Sequence, residues 1–410
     1  MQPERRRVLV LAYFFPPLGG AGVQRTLKFV KYLAPLGWRA TVVSTRSRLY
    51  PARDPTLLEE VPDTTRVVRT PALPMAHWLS LVAYRLRMMR AFAWLTWPDG
   101  GFGWLPFAAV SGLRAARRDR PDVVYSTSPP QSAHLAALVV HRLTGIPWVA
   151  DFRDEWAADV HRADQPAALS RLAARVERAI TTRAARVVVA ADYFELAGAP
   201  AGDHVEILNG VDAADLPGDD VGPDPDRFVL AYVGTLYGIR NPEPVLRALA
   251  CLADRGAVDR DRVVVRLVGS IWLEGFEPPP GVAVEVTGYL DHIRAVEEMC
   301  RATALLLYVP GATLAPSGKL FEYLASGRPI LCIANEHNLA SRLVRDWDAG
   351  VVADPDDDTA IEAAILGLWR RWEADGLPRQ DGVRERTLRS YSRSAAAVSL
   401  AAVLDQASGG

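Results

Sequence analysis

An ammonium, a carboxylate and an unpaired stretch of backbone meet on one short segment, Ala315-Pro316-Ser317-Gly318-Lys319-Leu320-Phe321-Glu322-Tyr323-Leu324-Ala325-Ser326-Gly327-Arg328. Pro316 and Ser317 are helix-start signals and Gly327 before Arg328-Pro329 is a stop, so the segment predicts a helix from Gly318 to Ser326. The first N–H groups of such a helix lack intrahelical acceptors and sit at the positive end of its dipole, where α/β folds hold phosphate. Glu322 lies one turn beyond Gly318 and Lys319, so the three share a face. The set fits a nucleoside diphosphate, with Lys319 and the amides near Ser317 and Gly318 on phosphate and Glu322 on ribose hydroxyls. A plain amphipathic helix with a solvated Lys and Glu would show the same spacing.

Composition adds weight to Lys319. The 47 basic residues include only three lysines, Lys28, Lys31 and Lys319, so arginine is this chain's default cation. A lysine here implies that a compact point charge is needed.

The helix must be held by its neighbours. Ala304 to Val309 and Pro329 to Ile333 are short apolar runs that read as buried parallel strands on either side of it. Further back, Phe228 to Val233 is another such run, followed by Gly234-Thr235-Leu236-Tyr237-Gly238-Ile239-Arg240. Strands alternating with helices along the chain predict α/β architecture with parallel sheets, whose ligand crevice lies beyond the strands' carboxyl ends.

The central segment, in its Pro-x-x-Lys-x-x-Glu-Tyr-Leu form, resembles the donor-site helix of GT-B glycosyltransferase family 4, in a branch often found among bacterial surface-glycan enzymes. The resemblance implies two Rossmann-like domains facing across a cleft and retaining transfer of a sugar from a nucleotide sugar. It implies no cofactor and no metal. In the family, two glutamates bracket a glycine-rich turn; the second corresponds to Glu322, whereas Leu314 stands where the first would be. The family also places an arginine after the first glycine of the second domain and a lysine further along that loop. Here those positions are Thr235, beside Gly234, and Arg240. The nucleobase is expected against Gly288 to Leu290, with Tyr289 as a stacking partner and Leu290 beside it.

The rest of the chain reads in the same frame. Arg7 to Phe15 is a first strand, and Gly19-Gly20-Ala21-Gly22 opens a helix, a turn compatible with phosphate or with tight packing. Arg25 occupies the place of the third glycine of a dinucleotide fingerprint, which argues against an NAD site. By the resemblance, Gly20 and Gly22 face the donor diphosphate or the acceptor. Asp122 to Ser126 and Pro147 to Asp151 are strands, and Ser126 to Gln131 and Asp151 to Trp156 lie at their carboxyl ends. Asp151, Arg153 and Asp154 are therefore candidates to line the active site, with no general base assigned among them. His134 reads as a helix-face histidine.

Between Leu73 and Val110 aromatics alternate with arginines, and residues 85 to 120 hold seven arginines against Asp99 and Asp119. This fits either peripheral contact of residues 73–120 with a membrane surface or lipid-linked acceptor, or core helices with solvated arginines. Residues 1–215 carry 27 basic and 20 acidic groups, whereas the remainder carries 20 and 28. No nucleic-acid motif accompanies the charge.

The length predicts two domains. The expected division is an acceptor-binding domain at 1–212, a linker at 213–227, a nucleotide-sugar domain at 228–382, and a helix from Val383 to Ala407 that returns to the first domain. Cys251, Cys300 and Cys332 lie in apolar segments without metal spacing and read as buried thiols of a reducing compartment. No window approaches the roughly 20 apolar residues of a membrane span, and the expected location, in keeping with reduced thiols, is the cytoplasm or the cytoplasmic face of the membrane. Three other readings stay open on sequence: a non-catalytic protein of the same fold that binds a nucleotide or a partner, a natural-product glycosyltransferase, and an epimerase using Asp151 and Asp154.

Overall fold

The computed structural model describes residues 6–46, 50, 52–73, 94, 96–157, 166–191, 196–198, 204–238, 240–309 and 318–409. The chain divides into two units, Met1–Leu208 with Arg393–Gly410, and Asn209–Ser392.

In the first unit, β1 (Arg6–Leu11), β2 (Trp38–Thr45), β3 (Arg66–Thr70), β4 (Val123–Ser128), β5 (Trp148–Phe152), β6 (Arg186–Val189) and β7 (Val205–Glu206) form one sheet. Its order is β3-β2-β1-β4-β5-β6-β7 and every pairing is parallel. Parallel strands need helical crossovers, supplied by α1 (Ala21–Leu33), α2 (Leu105–Asp119), α3 (Ser132–Thr144) and α4 (Ala167–Thr181). β4 and β5 are buried along their full length, as apolar runs covered on both faces should be. β3 escapes the sequence reading because Arg-Val-Val-Arg-Thr is short and framed by arginines. It is an edge strand, and Arg66 pairs with Asp119 at 2.7 Å.

In the second unit, β8 (Phe228–Val233), β9 (Val263–Val268), β10 (Ala283–Gly288), β11 (Ala304–Val309), β12 (Ile330–Ala334) and β13 (Gly350–Ala353) form a parallel sheet of order β10-β9-β8-β11-β12-β13. Its helices are α5 (Glu243–Asp254), α6 (His292–Arg301), α7 (Gly318–Ser326), α8 (Leu339–Asp346), α9 (Asp358–Asp375) and α10 (Asp381–Ser390). One face of the sheet packs on Trp369 and Trp372 of α9, the other on Leu320, Tyr323 and Leu324 of α7. The Asp354 to Asp358 run behaves as a cap, with Asp357 accepting from Ala360 N at 2.9 Å.

Two expectations need correction. The helix expected over 383–407 is broken at Tyr391, whose backbone leaves the helical region (φ −130°). Its ring lies 4.6 Å from that of Phe321 and stacks on Trp347 at 5.8 Å, so its packing holds the break. Beyond it, α11 (Arg393–Ser408) packs on α1 and supplies Ala397, Leu400, Val403 and Leu404 to the first unit's core. Of the three cysteines, Cys300 and Cys332 are buried, but Cys251 is exposed because it falls on the outer face of α5.

Candidate active site

The second unit gathers glycines where its strands end. Gly234, Gly269 and Gly288 follow or close β8, β9 and β10 with φ of +139°, +129° and +72°. Gly234 N donates to Val268 O at 2.7 Å, and Gly269 N to Gly288 O at 2.9 Å, so the three turns are tied together by backbone. A Cβ at Gly269 would come within 2.4 Å of Gly234 O, and one at Gly234 within 1.9 Å of Lys319 Nζ. Backbone conformation favours glycine at both places, and at Gly269 space does too, because the atoms met there are backbone.

Lys319 is thereby aimed at the end of β8. Its ammonium donates to Tyr232 Oη at 3.1 Å and lies 4.6 Å from the centre of that ring. Burial and the neighbouring Arg240 guanidinium lower its pKa to about 7, against a smaller opposing pull from Glu322. Tyr232 Oη in turn donates to Thr235 O at 3.2 Å, and burial raises that hydroxyl's pKa to about 12 while Arg240 opposes the rise. One tyrosine thus links Lys319, the Thr235 backbone and Arg240, a connection that sequence reasoning missed. Its signal was an aromatic at the last inward position of a buried strand. Tyr323 performs the matching fastening for α7, its hydroxyl accepting from Val233 N at 2.8 Å.

Gly318 opens α7, and a Cβ there would meet nothing within 4 Å, so its backbone faces open space. Glu322 is half-buried on the same helix, and its carboxylate takes no hydrogen bond from any described residue. Ser317, like Leu314 and Pro316, lies outside the described residues. Tyr289 is 41% exposed, whereas Leu290 packs partly into the core. An open hollow of about 550 Å³ is lined by Gly238, Asn241, Trp272 and Phe276 and by none of Gly234, Lys319, Glu322 and Tyr289.

In the first unit the predicted residues come together differently. Asp151 is fully buried and accepts from Arg25 Nε (3.0 Å) and Nη2 (2.7 Å), Tyr125 Oη (2.6 Å) and Thr127 Oγ1 (2.8 Å). Its pKa is lowered because Arg25 and these hydrogen bonds outweigh the cost of burial. With its oxygens occupied and sealed, Asp151 positions the fold and does not line the site as expected. Arg25, where a dinucleotide fold would have glycine, is the other half of this pair and also donates to Leu208 O at 3.2 Å.

Arg153 likewise turns inward. It donates to Ser128 O (2.8 Å), Gly22 O (2.7 Å) and Pro129 O (2.9 Å), clamping the glycine loop to the turn after β4. Asp154 alone of the trio is exposed. Gly20 has φ +88°, and Gly22 rests against Phe14, where a Cβ would be 3.2 Å from the ring. His134 is buried between Ser126 Oγ (2.8 Å) and Ser128 Oγ (2.9 Å), and burial depresses its pKa to about 3.

Much of the 73–120 passage, residues 74–93 and 95, lies outside the described residues. In the remainder, Trp104 is buried with Nε1 on Thr70 Oγ1 at 2.6 Å, while Arg114, Arg117, Arg118 and Arg120 face solvent. Among the described residues no helix is long and apolar enough to cross a membrane.

Two parallel α/β units are the architecture of the GT-B glycosyltransferases, and the comparisons place the chain in that class. Residues 19–210 match the family model described as a glycosyl transferase 4-like domain, and residues 227–371 the one described as glycosyl transferases group 1. The chain belongs to the GT4-like glycosyltransferases and is an enzyme of that kind. Sucrose-phosphate synthase from Thermosynechococcus elongatus has a similar structure, with TM-score 0.69 and 16% identity over 98% of this chain and 99% of that one. WaaG, a glycosyltransferase involved in lipopolysaccharide biosynthesis, gives 0.64 and 14% over 98% and 100%. A glycosyltransferase from Rickettsia africae gives 0.63 and 12% over 99% of both chains. At these identities the likeness is one of fold. No curated protein sequence matches.

Proposed function

We propose that this glycosyltransferase takes its sugar from a nucleoside diphosphate sugar, UDP- or GDP-linked, and delivers it with retention to an acceptor hydroxyl of a glycan or lipid-linked glycan. The observation that carries the reading is Lys319, a shielded ammonium on the opening turn of α7, kept in place by Tyr232 and by the missing side chain of Gly234. A cation held short of full hydration beside free helix N–H groups gains most from a doubly charged phosphate ligand.

In the proposed reaction the bond from the anomeric carbon to the diphosphate breaks. Lys319, Arg240 and the α7 amides, with Ser317 and Gly318 at their start, stabilise the departing charge. The acceptor oxygen bonds to the same face of the sugar, and a donor phosphate oxygen takes its proton, so no protein base is required. Glu322 binds the ribose, Tyr289 and Leu290 receive the base, and the Gly234-Thr235 turn leaves the room that Lys319 fills on its way to the phosphates. Two side-chain cations meet the leaving charge, so turnover is expected to persist in EDTA. We place the reaction in bacterial polysaccharide synthesis at the cytoplasmic face of the membrane, with the arginines of 114–120 toward anionic lipid. Flotation with anionic vesicles tests that placement.

The deciding experiment is a thermal-shift panel of UDP, GDP, ADP and dTDP on wild type and Glu322→Ala. A ligand at 100 times its Kd adds about 2.7 kcal/mol, several degrees for a protein of this size. Stabilisation by one nucleotide that the variant loses supports the site; no stabilisation by any removes it.

A further inference from the structure

Arg328 follows α7 and precedes β12, and it is drawn into the second unit until only 6% of it is exposed. Its Nε donates to Cys300 O at 3.0 Å, at the carbonyl end of α6. That occupies one of five N–H donors. The other four, on Nη1 and Nη2, reach no acceptor among the described residues, and no described carboxylate pairs with the guanidinium. An arginine does not shed its proton, so burying one without a counter-charge is costly.

The surroundings add positive charge. Burial raises the pKa of the Cys300 thiol, and the guanidiniums of Arg384, Arg328, Arg379 and Arg301 all oppose that rise, so the four converge on one point. Arg301 is paired with Glu297 at 3.0 Å, and Arg379 with Asp219 at 2.7 Å and Asp381 at 2.6 Å. Arg384, on α10, makes no ion pair with a described residue. It acts on both Arg328 and Asp219, which sets it beside them. Two guanidiniums from different elements are therefore left over, while Asp219 and Asp381 are already held.

There is room beside the free donors. A Cβ built on Gly222 would stand 3.6 Å from Arg328 Nη2 and, its chain neighbours aside, within 4 Å of nothing else. The φ of Gly222 is not left-handed, so backbone conformation does not call for glycine there. Its missing side chain leaves the space over Nη2 open. An oxygen accepting from Nη2 at about 2.8 Å puts the atom that carries it near that same point.

We propose that Arg328, Arg384 and the gap at Gly222 form a site for the phosphate group of a small soluble molecule. Guanidiniums grip phosphate through paired N–H donors, and two of them match its double charge. The slight exposure of Arg328 admits only a small ligand. The site lies beyond the finish of α7, whereas Lys319 is at its start, about 12 Å away along the helix. It is thus separate from the donor phosphates and does not rest on the donor reading.

The test is a titration of the full chain with inorganic phosphate at constant ionic strength, balanced with chloride and read by melting temperature. Saturating phosphate should raise the melting point of the wild type by several degrees that chloride does not give. The fitted Kd should rise about tenfold or more in Arg384→Gln and in Gly222→Leu, as for one lost charge-assisted hydrogen bond. Gly222→Leu fills the gap without touching a charge, so simple screening of the arginines would survive it. Arg328→Met should ignore phosphate; should it fail to fold, the other two variants decide. Lys319→Met should respond as the wild type does. Equal stabilisation by chloride, a phosphate Kd unchanged in Gly222→Leu, or a response that Lys319→Met abolishes overturns the site.

Discussion

Gly234 and Lys319 share one space: a Cβ on the first would stand 1.9 Å from Nζ of the second. The glycine's φ of +139° is also closed to other residues at low cost. Gly234→Ala is therefore expected to lose about 1–3 kcal/mol of stability and all nucleotide-induced stabilisation. Denaturant melts with and without nucleotide check both, and a variant that still responds to nucleotide would show that Lys319 has another place to go.

The lowered Lys319 pKa, about 7 against 10.5 in an open chain, makes stability depend on pH in a defined direction. Between those values the unfolded chain carries a proton that the folded one has shed, so folding gains as pH rises through the window. Below pH 7 the full cost of burying the ammonium is present. Lys319→Met removes the titration, so its stability advantage over wild type should be largest near pH 7 and shrink toward pH 10.5. Parallel pH curves would place the ammonium in open water.

Glu322 accepts no hydrogen bond from a described residue and exerts only the smaller pull on Lys319, so Glu322→Ala should leave the melting point nearly unchanged. Losing hydrogen bonds from ligand hydroxyls to a carboxylate, about 1.5–3 kcal/mol, should raise the nucleotide Kd by one to two orders of magnitude. Calorimetry on wild type and variant measures this directly. Equal Kd values would remove Glu322 from the site.

Asp151→Ala should unfold the first unit before it alters chemistry. It strands a guanidinium that is 2% exposed, and breaking a buried pair from one side costs about 3–5 kcal/mol. Combining it with Arg25→Met should recover part of that loss, which a double-mutant cycle in denaturant reads. If Asp151→Ala keeps wild-type stability and loses turnover, the carboxylate is chemical after all.

His134 gives an acid counterpart. With its folded pKa near 3 and the ordinary value 6.5, stability rises with pH across that interval and is lost as pH falls through it. His134→Asn should flatten this part of the profile, as seen by melts from pH 6.5 to pH 4.

The architecture was legible because both sheets are built from short apolar runs, and Ala304 to Val309 and Ile330 to Ala334 could hardly fold otherwise. Lys319 stood out because lysine is rare here, and the other two lysines proved to share Glu60. What stayed hidden depended on long-range pairing. The carboxylate of Asp151 looks chemically available until Arg25, far away in sequence, is folded against it. Arg153 looks like a free cation until its three carbonyls are known. Charge density after a strand marks a crevice, but it does not tell which charges face it.

The backbone bridge between Val211 and Ser392, reinforced by Val211 N on Tyr391 O at 2.9 Å, bears on how the enzyme is made. The second unit is a continuous insertion whose two ends meet, so its whole core precedes the last helix in the chain. The first unit's core does not, because Leu400, Val403 and Leu404 belong to it. The half of the enzyme that is translated first is completed last, and a premature stop near Ser392 would cost it rather than its successor.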